Sequence, residues 1–280
     1  MSLSQVQFSV LMPVYAGTPA EHFELSVQSL LTQQLMPLEL ILIEDGPLTP
    51  EHERVLSSAE RELGDRFVRL SLRTPVGIAD ALQAGLAQTT TPWVARMDAD
   101  DIARADRFAI QAVAAAAGIA DVIGSAMTEF ETSMGMSLGD RVMPTNHEDI
   151  ARLMKSRNPL NHPTVFMRRD AALAVGGYRR LPGLEDYDLW ARMLASGARF
   201  ANLEDPLVAY RVDSSLFRRR RGVELLAAEL RLQCNLVRYG LIGWPRAVFN
   251  TVARTAYRIL PICLMRGAYR HLFRSKTNRA

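Results

Sequence analysis

The chain has 280 residues, 48% hydrophobic and 22% charged, a balance that fills one large core or two smaller ones and excludes a disordered chain. Its two cysteines, Cys234 and Cys263, stand in no CxxC or Cys/His pattern, which argues against a disulfide framework and a zinc site. The net charge of +3 hides an asymmetry: residues 218–280 hold 14 Lys and Arg against two acids, a net +12, while the rest holds 19 against 28, a net −9.

The first half alternates short apolar runs with amphipathic stretches. Strands are expected at Phe8–Pro13, Leu38–Ile43, Phe67–Leu72 and Trp93–Met97, with helices at Ala20–Gln34, Pro50–Leu63 and Ile78–Ala87 between them. Repeated βα units imply an α/β fold with a mainly parallel sheet flanked by helices. In such sheets ligands bind beyond the carboxyl ends of the strands. Three of the first four strand ends are polar or distinctive here: Pro13-Val14-Tyr15, Glu44-Asp45-Gly46 and Asp98-Ala99-Asp100-Asp101. Loop acids often only cap helices, but so many gathered at one edge repel unless a cation or ligand offsets them.

Further on, a helix is expected at Arg104–Ala117 and a strand at Val122–Phe130. The segment Asn158-Pro-Leu-Asn-His162-Pro-Thr164 then leads into apolar Val165–Met167, and Leu184-Glu185-Asp186-Tyr-Asp-Leu-Trp190 opens a helix running to about Ser196. From Gly222 the pattern is helical, broken at Gly243, Pro245 and Pro261, with Arg218–Arg221 as the expected hinge.

A D-x-D pair ending a buried strand puts two carboxylates on one side of an extended chain, where they can hold a hard divalent ion. Such an ion neutralises a departing nucleoside diphosphate. Sugar transfer from a nucleotide donor needs a base and ribose pocket, a metal for the diphosphate and a general base for the acceptor hydroxyl. Strand ends one and two can supply the first, Asp98 and Asp100 the second, and Glu185 or Asp186 the third. No glycine-rich basic loop follows the first strand, which disfavours a nucleotidyltransferase; no G-x-G-x-x-G follows it, which disfavours a dinucleotide oxidoreductase. A non-catalytic nucleotide-sugar-binding or scaffold protein of the same fold is the alternative outside enzymes. His162 suits either acceptor contact or packing, and Trp190 either the core or a sugar platform.

The segments FSVLMPVYAG, LELILIEDGPLT, VGIADALQAGL, WVARMDADDIARADRF, NHPTVFMRR, GGY and GLEDYDLWARML resemble, in order and spacing, the family 2 glycosyltransferases of GT-A fold. The resemblance runs from about Phe8 to Arg211. VARMDADD, NPLNHPTV and LEDYDLWARMLASGARFANLEDPLVAYRV look most like the subgroup that builds bacterial exopolysaccharides such as amylovoran.

The resemblance implies a catalytic domain over residues 1–217, and charge and periodicity make 218–280 a basic amphipathic helical extension. It implies that Pro13, Val14 and Tyr15 wall the nucleotide pocket and that Asp45 accepts a hydrogen bond from the base of a UDP-sugar. Gly77 and Asp80 would open a helix whose free N–H groups face the nucleotide. Asp98 would contact ribose or the metal shell, Asp100 would ligate Mn or Mg, and Asp186 would be the base with Glu185 beside it. The family usually inverts the anomeric centre in one displacement. Two departures stand out: many relatives have a histidine shortly after the Tyr-Arg that here reads Tyr210-Arg211-Val212-Asp213-Ser214-Ser215, and the Q-x-x-R-W motif of processive synthases is missing. Non-processive transfer to a saccharide, lipid-linked in the leading reading, follows.

The basic extension fits three roles: a helix on an anionic membrane surface, a solvated cap on the catalytic domain, or a nucleic-acid contact. The last is disfavoured, because no recognition motif accompanies the charge. With no signal segment and no apolar run of roughly 18 residues, a cytoplasmic protein held peripherally on the inner face of the membrane is expected.

Overall fold

The computed structural model describes residues 6–131, 137–212, 223–259 and 274–275. β1 (Phe8–Val14) is buried at every position, as a strand covered on both faces must be. It runs parallel to β2 (Glu39–Asp45) on one side and to β4 (Trp93–Arg96) on the other, and β3 (Phe67–Leu72) extends the sheet beyond β2. The crossover helices are α1 (Ala20–Leu31), α2 (Pro50–Leu63) and α3 (Ile78–Gln88). This half follows the expected βα order.

Proline in a central strand normally removes a ladder hydrogen bond. Here the carbonyl of Leu11 accepts from the N–H of Met97 at 3.0 Å, so the odd positions of β1 face β4. The β1–β4 register ends at Leu11↔Arg96. Pro13, two residues on, faces the same side past that register, where the missing N–H costs no ladder bond.

The second half is mixed. After β5 (Ile102–Ala103) and α4 (Arg107–Ala116) come β6 (Val122–Phe130), β7 (Ser137–Arg141), α5 (His147–Met154), β8 (Phe166–Arg168), α6 (Arg169–Ala174), α7 (Glu185–Ala195) and β9 (Phe200–Arg211). Two further helices, α8 (Val223–Arg238) and α9 (Trp244–Ile259), precede a short β10 (Arg274–Ser275). The strand order is β10-β7-β6-β8-β4-β1-β2-β3, with β9 parallel to β6 and antiparallel to β5. The antiparallel β8 separates the parallel half from β6. The expected helix at Arg104–Ala117 begins later, at Arg107, because Ile102 and Ala103 are taken as a strand by β9.

Alternation along the strands builds two cores. Leu11, Ile41 and Ile43 face a cluster with Leu82, Leu86, Trp190, Leu232 and Leu236. Val10, Met12, Leu40 and Leu42 face the opposite cluster with Phe23, Leu56, Phe108 and Phe166. The period of two thus sorts β1 and β2 onto both helical layers. Because α8 supplies Leu232 and Leu236, it shares a core with α3 and α7. The boundary at residue 217, the hinge at Arg218–Arg221, Asp213 and Pro261 lie outside the described residues.

Candidate active site

β4 stops at Arg96, and the chain turns through Asp98, Asp100 and Asp101. One oxygen from each of these carboxylates lies within 4.8 Å of the others. Asp101 is fully buried; its Oδ1 accepts the Arg211 N–H at 2.8 Å, and its buried Oδ2 has no hydrogen-bond partner among the described residues. Burial, then the charges of Asp98 and Asp100, push the Asp101 carboxyl well above the usual carboxylate range. An all-oxygen set that repels itself fits a hard cation such as Mg or Mn. Asp98 and Asp100, the expected ligands, are thus joined by Asp101.

Basic residues frame this cluster. Arg96, itself buried, pairs with Asp98. Its burial opposes the charge, but Asp98, and more weakly Asp101, raise the guanidinium pKa. Arg211 holds the turn by its backbone and by Nε, which donates to the Asp100 carbonyl at 3.0 Å. Arg107 lies beneath with Nη2 on the Arg96 carbonyl at 2.7 Å and Nε on Gln111 at 3.1 Å. Burial, followed by the repulsion of Arg96, lowers its pKa to about 9.

At the expected nucleotide pocket, Pro13 and Val14 are buried in the sheet, and of the three expected wall residues Tyr15 alone is exposed. A side chain at Gly17 would run into the Tyr15 ring, its Cβ falling 2.3 Å from Cε2. Asp45, at the end of β2, accepts from Val76 N–H at 2.6 Å and Gly77 N–H at 3.0 Å. The Gly77 amide is therefore not free to meet a phosphate, contrary to expectation, because Asp45 takes it to pin the loop before α3. Each carboxylate oxygen has a second lone pair for a base N–H. Asp80, in the first turn of α3, pairs with Arg180 near the surface, so it too already has a partner.

Glu185 and Asp186 open α7 side by side. Asp186 Oδ1 accepts from Tyr187 N–H at 2.7 Å and Oδ2 from Asn158 Nδ2 at 2.6 Å. Burial pushes the Asp186 carboxyl upward against these bonds. Glu185 is buried, and its Oε2 has no hydrogen-bond partner among the described residues; burial and the neighbouring Asp186 push its pKa up to about 7. Arg96 acts on both carboxyls, linking them electrostatically to the acid cluster.

His162 Nε2 lies 3.0 Å from the Tyr178 hydroxyl, and its ring meets Trp190 edge-on at 6.0 Å. Burial and Arg96 hold it well below the usual histidine pKa, so it is neutral. Trp190 is completely buried and offers no face to a sugar, because α7 turns it toward the core. The acceptor-platform expectation for Trp190 is corrected accordingly.

The family model for glycosyl transferase family 2 matches residues 9–176. The chain belongs to glycosyltransferase family 2. This glycosyltransferase is 31% identical over 264 residues to the amylovoran biosynthesis glycosyltransferase AmsE of Erwinia amylovora, covering 94% of this chain and 97% of that one. It is 30% identical over 275 residues to a UDP-Gal:alpha-D-GlcNAc-diphosphoundecaprenol beta-1,3-galactosyltransferase of Escherichia coli, covering 98% and 99%. Among solved structures it matches S. aureus TarS with a TM-score of 0.65 and 17% identity over 95% of this chain, spanning 45% of TarS. Residues 1–349 of TarS in complex with UDP-GlcNAc match at 0.63 and 16% identity, over 82% of this chain and 66% of that one. The mannosyltransferase PcManGT of Pyrobaculum calidifontis, in complex with GDP-Man and Mn2+, matches at 0.58 and 17%, over 95% and 81%. The fold is GT-A.

Four residues of the candidate site are hard to read from the sequence. Arg96 sits in an apolar strand and reads as a chance charge, although an arginine inside a buried run needs a buried anion. Asn158 and Tyr178 touch Asp186 and His162 across sequence gaps that no local pattern spans. Arg211 meets the Asp100–Asp101 turn from 110 positions away, a contact that its own neighbourhood in the chain does not announce.

Proposed function

We propose that this glycosyltransferase moves a sugar from a UDP-sugar to a hydroxyl of a lipid-linked saccharide, with inversion and without processivity. The carrying observation is the pair of carboxylate sites at one sheet edge, Asp98/Asp100/Asp101 and Glu185/Asp186, joined through buried Arg96. Support for the donor comes from the UDP-GlcNAc complex of TarS and the UDP-Gal in the name of the E. coli relative. The diphosphoundecaprenol in that name, matched over 98% of this chain, supports the acceptor.

In this reading Tyr15 lies against the base and Asp45 accepts from it while fixing the 76–77 loop. Asp98 and Asp100 would hold Mg or Mn, with Asp101 behind them, and the ion would offset the charge of the leaving diphosphate. The acceptor oxygen forms a bond to the anomeric carbon as the bond from that carbon to the diphosphate oxygen breaks, and UDP leaves. The acceptor proton passes to a carboxylate of α7. Asp186 is the leading base, oriented by Asn158 and the Tyr187 amide, with Glu185 as its partner. A second assignment, Glu185 as base, is favoured by its Oε2, which has no partner among the described residues, and by its pKa of about 7.

The test is transfer with labelled UDP-sugars. Asp100→Ala and chelation should each abolish it, and full activity in excess chelator would remove the metal reading. Asp186→Asn should bind UDP nearly normally and turn over roughly 100-fold or more slowly, the scale of a lost general base. A dead Glu185→Gln beside a near-normal Asp186→Asn would exchange the two roles.

A further inference from the structure

A surface helix ordinarily turns its apolar stripe to the core and its polar side to water. α9 does the reverse. Its inward side holds small Ala247 and hydrogen-bonded polar groups: Asn250 Nδ2 donates to the Lys155 carbonyl at 2.9 Å and to Gln233 at 3.0 Å. Arg254 Nη1 donates to both oxygens of buried Glu229 at 2.8 Å, and its Nη2 to the Ser156 carbonyl at 2.6 Å. Its outward side carries Trp244, Val248, Phe249 and Val252, each between 60% and 64% exposed. At 100° per residue these four occupy a sector of roughly 140°. A bonded polar face inside with a continuous apolar face outside points to a medium other than water on that side.

Charge identifies the medium. Residues 218–280 carry a net +12, and of their two acids Glu229 is enclosed by Arg254, which leaves Glu224 at the surface. Arg246 borders the apolar sector with its guanidinium 5.8 Å from the Phe249 ring centre, and Arg231 and Arg238 are exposed on α8. Aromatic and aliphatic side chains edged with arginine match the boundary between acyl chains and anionic headgroups. A second copy would bring an equal positive charge against the first, which disfavours self-association through this face.

Position ties the face to the reaction. α9 grips the carbonyls of Lys155 and Ser156, just before Asn158, whose amide holds Asp186. α8 in turn is fastened to α7: Asn235 and the Tyr239 hydroxyl donate to Asp188 at 2.9 and 3.0 Å. We infer that the Trp244/Val248/Phe249/Val252 face of α9 inserts into the headgroup layer of an anionic bilayer and sets the acceptor side of the site against that membrane. The orientation rests on the lipid-linked acceptor proposed above; the insertion itself does not.

The three tryptophans make the test selective, since Trp93 is 5% exposed, Trp190 is 0% and Trp244 is 61%. The full chain is mixed with vesicles of phosphatidylcholine alone or with phosphatidylglycerol, some carrying brominated acyl chains. Emission should shift to the blue and be quenched by bromine only with phosphatidylglycerol present, and Trp244→Phe should lose the signal while still sedimenting with vesicles. The double variant Phe249→Ser/Val252→Ser should keep the melting temperature, since both side chains are exposed, yet partition at least about tenfold more weakly. Unchanged Trp244 emission with anionic vesicles, unchanged partition of the double variant, or a dimer that this variant dissociates would each overturn the insertion. Transfer to a water-soluble saccharide does not need this face. If the unsubstituted chain inserts but transfers to no saccharide, lipid-linked or soluble, the reaction proposed above fails and the insertion stands.

Discussion

Replacing Glu185 by glutamine should stabilise the fold at neutral pH while impairing catalysis. The side chain is buried beside Asp186, and its pKa rises from 4.5 to about 7. That difference corresponds to about 3 kcal/mol of preference for the protonated form. The sign follows from linkage. The folded state holds a proton that the unfolded chain gives up near pH 4.5, so stability is full below that pH and declines as pH rises toward 7. Glutamine keeps an oxygen for the Glu185 and Gly183 amides that bond the carboxylate, and it has no charge to bury. The variant should therefore match the parent near pH 4.5 and exceed it by up to about 3 kcal/mol above pH 7. At roughly 2–4 °C per kcal/mol for a chain of this size, the melting temperature at pH 8 should rise by up to about 10 °C. Thermal denaturation of both proteins, metal-free, from pH 4.5 to 8.5 measures it. A difference that is flat across this range would refute the reasoning, because the burial cost would then not reside in Glu185.

Asp45→Ala should release the Val76 and Gly77 amides, cost about 1–3 kcal/mol of stability and weaken UDP binding in titration calorimetry; unaltered UDP affinity would separate Asp45 from the nucleotide pocket. Truncation after Phe217 should leave an aggregating or loosely folded chain, seen by loss of a cooperative melt. It strips Leu232 and Leu236, each contributing about 1.5–3 kcal/mol, from a domain whose whole stability is on the order of 5–15 kcal/mol.

The parallel half of the fold was legible because each strand there is a short apolar run followed by an amphipathic helix, and the ends of β1, β2 and β4 fell within a residue or two of expectation. Asp98, Asp100, Glu185 and Asp186 were visible for the same reason: charges stand out where they interrupt a buried pattern. β9 was not anticipated. Its 12 residues include Glu204, Asp205 and Pro206, and its register against β6 shifts there, so alternation is lost where a period-two search would look. The hidden role of Asp45 has another cause. Its partners are backbone amides, which have no residue identity to read. The α9 face was half visible: periodicity marked an amphipathic helix, but only the fold shows which side it turns inward.

The clasp between Asp101 and Arg211 has a consequence for the order of events during synthesis. The two residues lie 110 positions apart, and β5, which follows the acid turn, finds its partner strand only in β9. Closing so long a loop is slow relative to pairing β1, β2 and β3, which are near neighbours in the chain. A chain emerging from the ribosome can thus assemble its parallel β1–β3 half before the acid turn is braced. Pulse-labelling hydrogen exchange during refolding should find the β1–β3 amides protected first and the Arg211 amide among the last.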